Sequence, residues 1–247
     1  ETSILGAGPG GALGRVALPG SPFENLRVPA MSSVQAIDWD HDDDLDLIVK
    51  PLFLHALLYW EQEGGAFHLR SGVADPFRSI HFLGPDFSSW AVDWDGDGLL
   101  DILVAPIFGD IRFLQQGRDG HFVEREGPAN PFYPINGDFP SLTFVQAVDW
   151  DRDGNLDLVT ASFASSSNGG PLRFFGRMED WGLAPSFDVP FNMTNLPNKS
   201  DWRCFSVIDW GGELALLAAN KGREVALFPS RFDGAFRRQE PGPFHSV

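Results

Sequence analysis

Cysteine is almost absent: Cys204 is the single one among 247 residues. That excludes an internal disulfide framework, and with it any cysteine cluster for zinc. Basic residues are scarce too. Eighteen Lys and Arg stand against 34 Asp and Glu, for a formal net charge of −16, so a partner rich in phosphate or anionic lipid would be repelled. Neither a nucleic-acid partner nor a membrane surface is expected. Long apolar runs are missing as well, because the longest, Ile48 to Trp60, is broken by Lys50, Pro51 and His55; no membrane span and no signal peptide can be read. The sequence begins at Glu1 without Met, which suggests a processed product, an excised fragment or part of a longer polypeptide. Uninterrupted stretches are few, since 27 Gly and 19 Pro punctuate the chain and leave little room for ordinary helices. What is abundant is buryable surface. With 43% hydrophobic and 13% aromatic residues, the chain folds despite its charge.

Signatures of catalysis are equally thin. The six histidines (His41, His55, His68, His81, His121, His245) are scattered, and there is neither a His-x-x-x-His pair nor a Gly-x-Ser-x-Gly motif. Gly6-Ala-Gly-Pro-Gly-Gly11 satisfies a dinucleotide-binding spacing, but no strand precedes it, no helix follows and Pro9 interrupts it. A flexible N-terminal segment is expected there. No enzyme is expected.

The organising feature is an internal repeat. Val34-Gln-Ala-Ile-Asp-Trp-Asp-His-Asp-Asp-Asp-Leu-Asp-Leu-Ile-Val49 returns as Trp90-Ala-Val-Asp-Trp-Asp-Gly-Asp-Gly-Leu-Leu-Asp-Ile-Leu-Val104 and as Val145-Gln-Ala-Val-Asp-Trp-Asp-Arg-Asp-Gly-Asn-Leu-Asp-Leu-Val159. A fourth copy, Phe205-Ser-Val-Ile-Asp-Trp-Gly-Gly-Glu-Leu-Ala-Leu-Leu217, loses most of the acids. The lead aspartates Asp38, Asp93, Asp149 and Asp209 are 55, 56 and 60 residues apart, and Pro-Phe pairs at 22, 76, 131, 190 and 243 keep nearly the same period. Within each unit an apolar run, an acidic loop and a Leu/Ile/Val run lead to an aromatic strand: Leu57–Trp60, Ile111–Leu114, Leu172–Phe175 or Val225–Phe228. A further phenylalanine comes after each (Phe67, Phe122, Phe187, Phe236). About four short strands per period of roughly 55 residues predicts an all-β chain of propeller blades; a parallel β-helix is the alternative. The expected division is a linking segment at 1–21 and blades at 22–75, 76–130, 131–189 and 190–247.

Asp-x-Asp-x-Asp-Gly-x-x-Asp between apolar strands, repeated at this period, resembles the FG-GAP/VCBS repeats of integrin α-subunit propellers and many secreted or surface proteins. The resemblance runs from about residue 12 to 247. It implies propeller blades, calcium in the acidic loops, and an adhesion, recognition or scaffolding module. The second and third copies match the loop fully. The first has Asp43 where glycine is expected, a residue that can enter the left-handed conformation at some cost.

The loop chemistry points the same way by itself. Four carboxylates within nine residues repel one another, by roughly 4 kcal/mol per pair at about 4 Å and an effective dielectric of about 20. Such a cluster calls for a counter-cation, and an all-oxygen donor set suits the six to eight ligands of Ca²⁺. Asp38, Asp40, Asp42 and Asp46 with the Asp44 carbonyl are expected to form one site. Asp93, Asp95, Asp97 and Asp101 with the Leu99 carbonyl form a second, and Asp149, Asp151, Asp153 and Asp157 with the Asn155 carbonyl a third. About three Ca²⁺ ions would bring the formal charge from −16 to about −10. The fourth copy, with only Asp209 and Glu213, should hold none. Trp39, Trp94, Trp150 and Trp210 persist in all four copies, the metal-poor one included, so packing between blades is their expected role. The Pro-Phe pairs are read as wedges at the same junctions.

The expected function is therefore a calcium-stabilised recognition or adhesion propeller that binds a protein or a glycan. A purely structural repeat or an accessory subunit bound to neighbouring subunits is the alternative, and a carbohydrate-active enzyme the second. Asn192-Met-Thr194 and Asn198-Lys-Ser200 fit the N-glycosylation pattern, which favours a secreted, cell-surface or lumenal setting. Both Leu13–Phe23 and Phe236–Phe244 resemble linking segments and would compete for one outer-strand slot in a closed four-bladed ring. A longer array is the expected resolution, with a terminal copy packed elsewhere as the alternative.

Overall fold

A computed structural model describes residues 4–7, 13–16, 22–23, 26–29, 32–81, 86–106, 108–135, 142–150, 152–162, 172–177, 183, 202–210, 213–220 and 225–229. The protein is all-β. Among these residues there is no α-helix, only 3-10 turns at Gly72–Ala74, Gly127–Ala129 and Tyr133–Ile135, and hence no helix long and apolar enough to cross a membrane.

Among the described residues, sixteen strands form a hairpin and four antiparallel sheets, each running in simple chain order. The hairpin pairs β1 (Ile4–Ala7) with β2 (Leu13–Val16). The first sheet is β3 (Ser32–Ile37), β4 (Asp46–Pro51), β5 (Leu58–Glu63) and β6 (Ala66–Leu69). The second is β7 (Asp86–Val92), β8 (Asp101–Pro106), β9 (Arg112–Gln116) and β10 (Phe122–Arg125). β11 (Leu142–Val148), β12 (Asp157–Ser162) and β13 (Leu172–Phe175) make the third, and β14 (Trp202–Trp210), β15 (Glu213–Asn220) and β16 (Val225–Pro229) the fourth.

The second strand of each sheet explains how the sheets stack. All six residues of β4 and of β8 are buried, so each strand is covered on both faces, with an apolar centre (Leu47–Val49, Ile102–Ala105) beside the buried charges of Asp46, Lys50 and Asp101. Alternation then assigns the faces. In β8, Ile102 and Val104 join Ile48 and Tyr59 of the first sheet and Phe77 of the linking segment, whereas Leu103 and Ala105 join Val145, Leu158 and Phe175 of the third. In β12, Leu158 faces the second sheet while Val159 and Ala161 meet Val207, Leu216 and Ala218 of the fourth. Each buried aliphatic side chain contributes about 1.5–3 kcal/mol, so these alternating contacts bind consecutive sheets face to face. The Pro-Phe phenylalanines sit in the same layers: Phe77 is in the cluster between the first and second sheets, Phe132 in the one between the second and third. The pairs at 190–191 and 243–244 lie outside the described residues.

The first strands of successive sheets are also fastened by side chains. Gln35, buried in β3, donates Nε2 to the Ala91 carbonyl (2.8 Å) and accepts from the Ala91 N–H (2.6 Å). Gln146 in β11 makes the same pair of bonds to Val207 in β14, at 2.7 and 2.8 Å. Between β7 and β11 the bond is from the Val145 N–H to Ser88 Oγ, at 3.2 Å. Every one of these groups is buried, so leaving any of them unpaired would be costly.

The N-terminus departs from expectation. Ile4–Ala7 is a strand that already contains Gly6, and the next element is the strand Leu13–Val16, paired with it from Ile4↔Val16 to Ala7↔Leu13. The described part of this stretch, Gly6 and Ala7, therefore belongs to a paired strand and not to a flexible segment, and Gly8–Gly11 lie outside the described residues. The next described element is a strand, and among the described residues no helix N-terminus that could bind phosphate follows the motif. Leu13–Val16 is taken by β1, so this terminal copy pairs within the N-terminal hairpin.

Candidate metal centres

The three acidic loops join the first and second strands of the first three sheets and share one internal wiring. The lead aspartate caps the loop's own amides. Asp38 accepts from the N–H groups of Asp42 (3.2 Å) and Asp43 (3.3 Å), Asp93 from Gly96 (2.8 Å), Asp97 (3.1 Å) and Gly98 (2.9 Å), and Asp149 from Gly154 (3.1 Å). The aspartate at the fifth position then closes a turn onto the seventh residue: Asp44 N–H to Asp42 (2.9 Å), Leu99 to Asp97 (2.9 Å) and Asn155 to Asp153 (2.7 Å). Asp44, Leu99 and Asn155 are the residues whose carbonyls are the expected ligands.

Such tight winding needs left-handed backbone twice per loop, at the fourth and sixth positions. His41 (φ 63°) and Asp43 (70°), Gly96 (74°) and Gly98 (86°), Arg152 (62°) and Gly154 (90°) occupy them. Asp43 thus adopts the conformation expected of it. The fourth position is not foreseeable, because His41 and Arg152 carry no local sign of a positive φ, which costs a residue with a Cβ about 1–2 kcal/mol.

The ninth aspartate has a role beyond the one expected of it. Asp46, Asp101 and Asp157 are 0%, 0% and 3% exposed. Each accepts the N–H of the loop tryptophan (Trp39 3.1 Å, Trp94 3.3 Å, Trp150 2.9 Å) on one oxygen. The other oxygen takes an N–H at or just past the end of the third strand: Gln62, Gln116 or Arg177, each at 2.9 Å. Asp46 also accepts from the Tyr59 hydroxyl at 2.8 Å. These carboxylates pin the loop to the sheet. The spacing alone could not reveal this, because the partners lie 15 to 20 residues downstream.

Carboxylates of the first two loops converge. One oxygen each from Asp38, Asp40 and Asp42, and likewise from Asp93, Asp95 and Asp101, lie within 4.8 Å of one another. Asp151 of the third loop lies outside the described residues, as do Asn192 and Asn198. In that third loop, however, Asp149 Oδ1 is buried with no hydrogen-bond donor, an expensive state for a carboxylate oxygen unless a cation meets it. Together with an oxygen-only donor set, this orphaned atom fits a hard divalent ion. In the fourth sheet Asp209 and Glu213 lie within paired strands, with Asp209 opposite Leu214 and Trp210 opposite Glu213.

The electrostatics bear the mark of crowding. Asp101 is pushed up to about 7, chiefly by burial, with Asp95 and Asp97 adding to it; Asp40 is raised by burial and then by Asp46, Asp42 and Glu61. A carboxyl whose pKa is higher folded than unfolded binds its proton more tightly in the folded chain. It therefore costs stability as pH rises from the ordinary 3.8 to about 7. The calcium-stripped protein should melt at progressively lower temperature across that window, and Asp101→Asn should flatten the slope; thermal scans from pH 4 to 8 would read both.

Around the second loop the surface opens into a cavity of about 460 Å³ lined by Trp94, Asp95, Phe113, Gln115, Asn130 and Tyr133 with prolines. Gln115 donates to Asp95 and accepts from Arg125 Nε at 2.7 Å. The Trp94 indole nitrogen is buried without an acceptor. The tryptophans themselves pack on aromatic neighbours: Trp39 on Phe77 and Trp94 on Phe132, both at 4.7 Å between ring centroids, and Trp150 on Phe174 at 5.8 Å.

Residues 93–160, from the lead aspartate of the second loop into β12, match the model of the FG-GAP-like repeat. This segment is therefore similar to an FG-GAP-like repeat. The match takes in the second and third acidic loops together with the strands β8 to β11 between them. No curated protein matches the chain. Among solved structures, a lectin of Agrocybe aegerita described for specific recognition of non-reducing terminal N-acetylglucosamine aligns over 83% of this chain, at 16% identity and a TM-score of 0.45. The chain spans 50% of that structure's length.

Proposed function

We propose that the chain is a calcium-stabilised recognition module of β-propeller type, non-catalytic, in which the ions fix the loops and a protein or glycan partner binds beside them. Asp38, Asp40 and Asp42, Asp93, Asp95 and Asp101, and Asp149 with Asp153 would hold about three ions, with Asp97, Asp46, Asp157 and the seventh-position carbonyls completing the shells. The observation that carries the metal reading is the buried, donorless Asp149 Oδ1 within a loop wired like the other two. Calcium supplies charge neutralisation and rigidity there; the chain's own hydrogen bonds set the loop shape. Face-to-face stacking of four sheets, with β3, β7, β11 and β14 fastened in succession, supports propeller blades. A secreted, surface or lumenal setting suits a module of this kind, where calcium reaches the millimolar range.

The cavity beside the second loop is the recognition site in this reading. Exposed Tyr133 offers an aromatic face, Asp95 and Gln115 offer hydrogen-bonding groups, and the Trp94 N–H lacks an acceptor. A hydroxyl-rich ring with one polar edge and one apolar face fits such a lining. Tyr133→Ala should abolish binding on a glycan array, by at least about tenfold, with an unchanged melting temperature because that side chain is 52% exposed. Binding to no glycan, with co-purification of a protein through the same residue, would move the partner to the protein class. Loss of neither on Tyr133→Ala would remove the cavity from the account.

A further inference from the structure

The first two acidic loops are alike inside and differ in what faces them. Gln62, Gln116 and Arg177 occupy one structural position, since each donates its backbone N–H at 2.9 Å to the ninth aspartate of its own loop. Of these three residues, only Arg177 is a cation. The Arg177 guanidinium carbon lies 4.9 Å from the centroid of the Trp94 ring, so this side chain reaches from the third sheet to the loop of the second. Once there it senses the charges of Asp95 and Asp93, and of Asp157 in its own sheet, while burial lowers its affinity for a proton. The first loop has no such visitor at the equivalent position, which is the neutral Gln116. Its tryptophan is met from the second sheet by Phe122, at 6.2 Å.

We propose that Arg177 is a built-in counter-ion of the second acidic loop, which steadies that loop without metal and sets its cation affinity below that of the first. This rests on the calcium reading above. Arg177 carries one positive charge beside carboxylates that a divalent ion also needs. A fixed charge at this range opposes an arriving Ca²⁺ more than a neutral glutamine does. The same guanidinium offsets repulsion between Asp93 and Asp95 when no ion is bound, so its removal should act in opposite directions on the two states.

Calcium titration by calorimetry tests this in the full chain carrying Asp42→Asn and Asp153→Asn, which silence the first and third loops. Adding Arg177→Gln should tighten the remaining site by about tenfold and lower the melting temperature of the calcium-stripped protein. Arg177→Lys keeps the charge and should leave affinity near its starting value. If the silenced background fails to fold, the same substitutions in the otherwise unaltered chain should abolish, or for lysine preserve, the weaker of two binding phases. Equal affinity in the Gln and Lys variants overturns the proposal, whether unchanged from the parent or weakened alike as loss of packing on Trp94 would do. Absence of calcium uptake by the unaltered chain overturns the calcium reading itself, an outcome distinct from the other two.

Discussion

Asp46→Ala is expected to destabilise the protein by about 4 kcal/mol, because it strips the acceptor from two backbone N–H groups and a tyrosine hydroxyl at a buried site, each worth about 1–3 kcal/mol when left unmade. The three donors are Trp39, Gln62 and Tyr59, at 3.1, 2.9 and 2.8 Å. The aspartate they surround is fully buried, so water cannot replace it. At about 2–4 °C per kcal/mol for a chain of this size, the melting temperature should fall by roughly 10 °C or more. What separates anchoring from metal binding is that most of this loss should persist in calcium-stripped protein. Asp40→Ala is the contrast, since Asp40 is exposed and crowded by Asp46 and Asp42. Its removal should lower stability only when calcium is present. Thermal scans of both variants with calcium and with EGTA would decide, and an Asp46→Ala loss that disappeared in EGTA would contradict the anchoring role.

Calcium removal should produce the second large effect. An ion that binds only the folded chain stabilises it by about 2.7 kcal/mol at a free concentration about 100 times its dissociation constant. About three such sites contribute roughly 8 kcal/mol, which corresponds to a fall of about 20 °C in melting temperature on chelation. The contribution also has a local address. Each loop holds two left-handed residues, and in the first loop both carry side chains, His41 and Asp43, so that loop bears the most backbone strain and should be the first to lose order when its ion leaves. Hydrogen exchange of the 38–46 amides with and without calcium would register this, and equal protection in both states would count against it.

Much of this is legible in the sequence because a repeat states its message several times. Three acidic loops with fixed internal spacing make the candidate ligands plain, and the aromatic runs lie in or overlap β5, β9, β13 and β16, where the structure has strands. Contacts whose partners lie a whole period apart are not legible. Nothing local to Gln35 or Gln146 says that each clasps both backbone groups of a residue 56 or 61 positions on. The second role of Asp46, Asp101 and Asp157 is hidden for the same reason. Arg177 is hidden more deeply, since Gly176-Arg177 aligns with Gln115-Gln116 and Glu61-Gln62 only once the shared backbone bond to the ninth aspartate is known. His41 and Arg152 show the limit at the scale of one residue, where composition flags a left-handed turn only if glycine fills it. The N-terminal hairpin escapes a reading by composition, because Gly6 and its neighbours have the look of a linker, although the strand that contains them finds a partner six residues after it ends.

The central claim is that the acidic loops exist to hold calcium, and the most direct measurement is metal content after exhaustive dialysis against micromolar calcium, paired with a calorimetric titration of the stripped chain. The account predicts about three bound Ca²⁺ per chain, none assigned to the fourth sheet, and uptake that Asp38→Asn, Asp93→Asn and Asp149→Asn each reduce by about one ion. A stripped chain that takes up no calcium at millimolar concentration and melts at the same temperature with and without it would contradict the account.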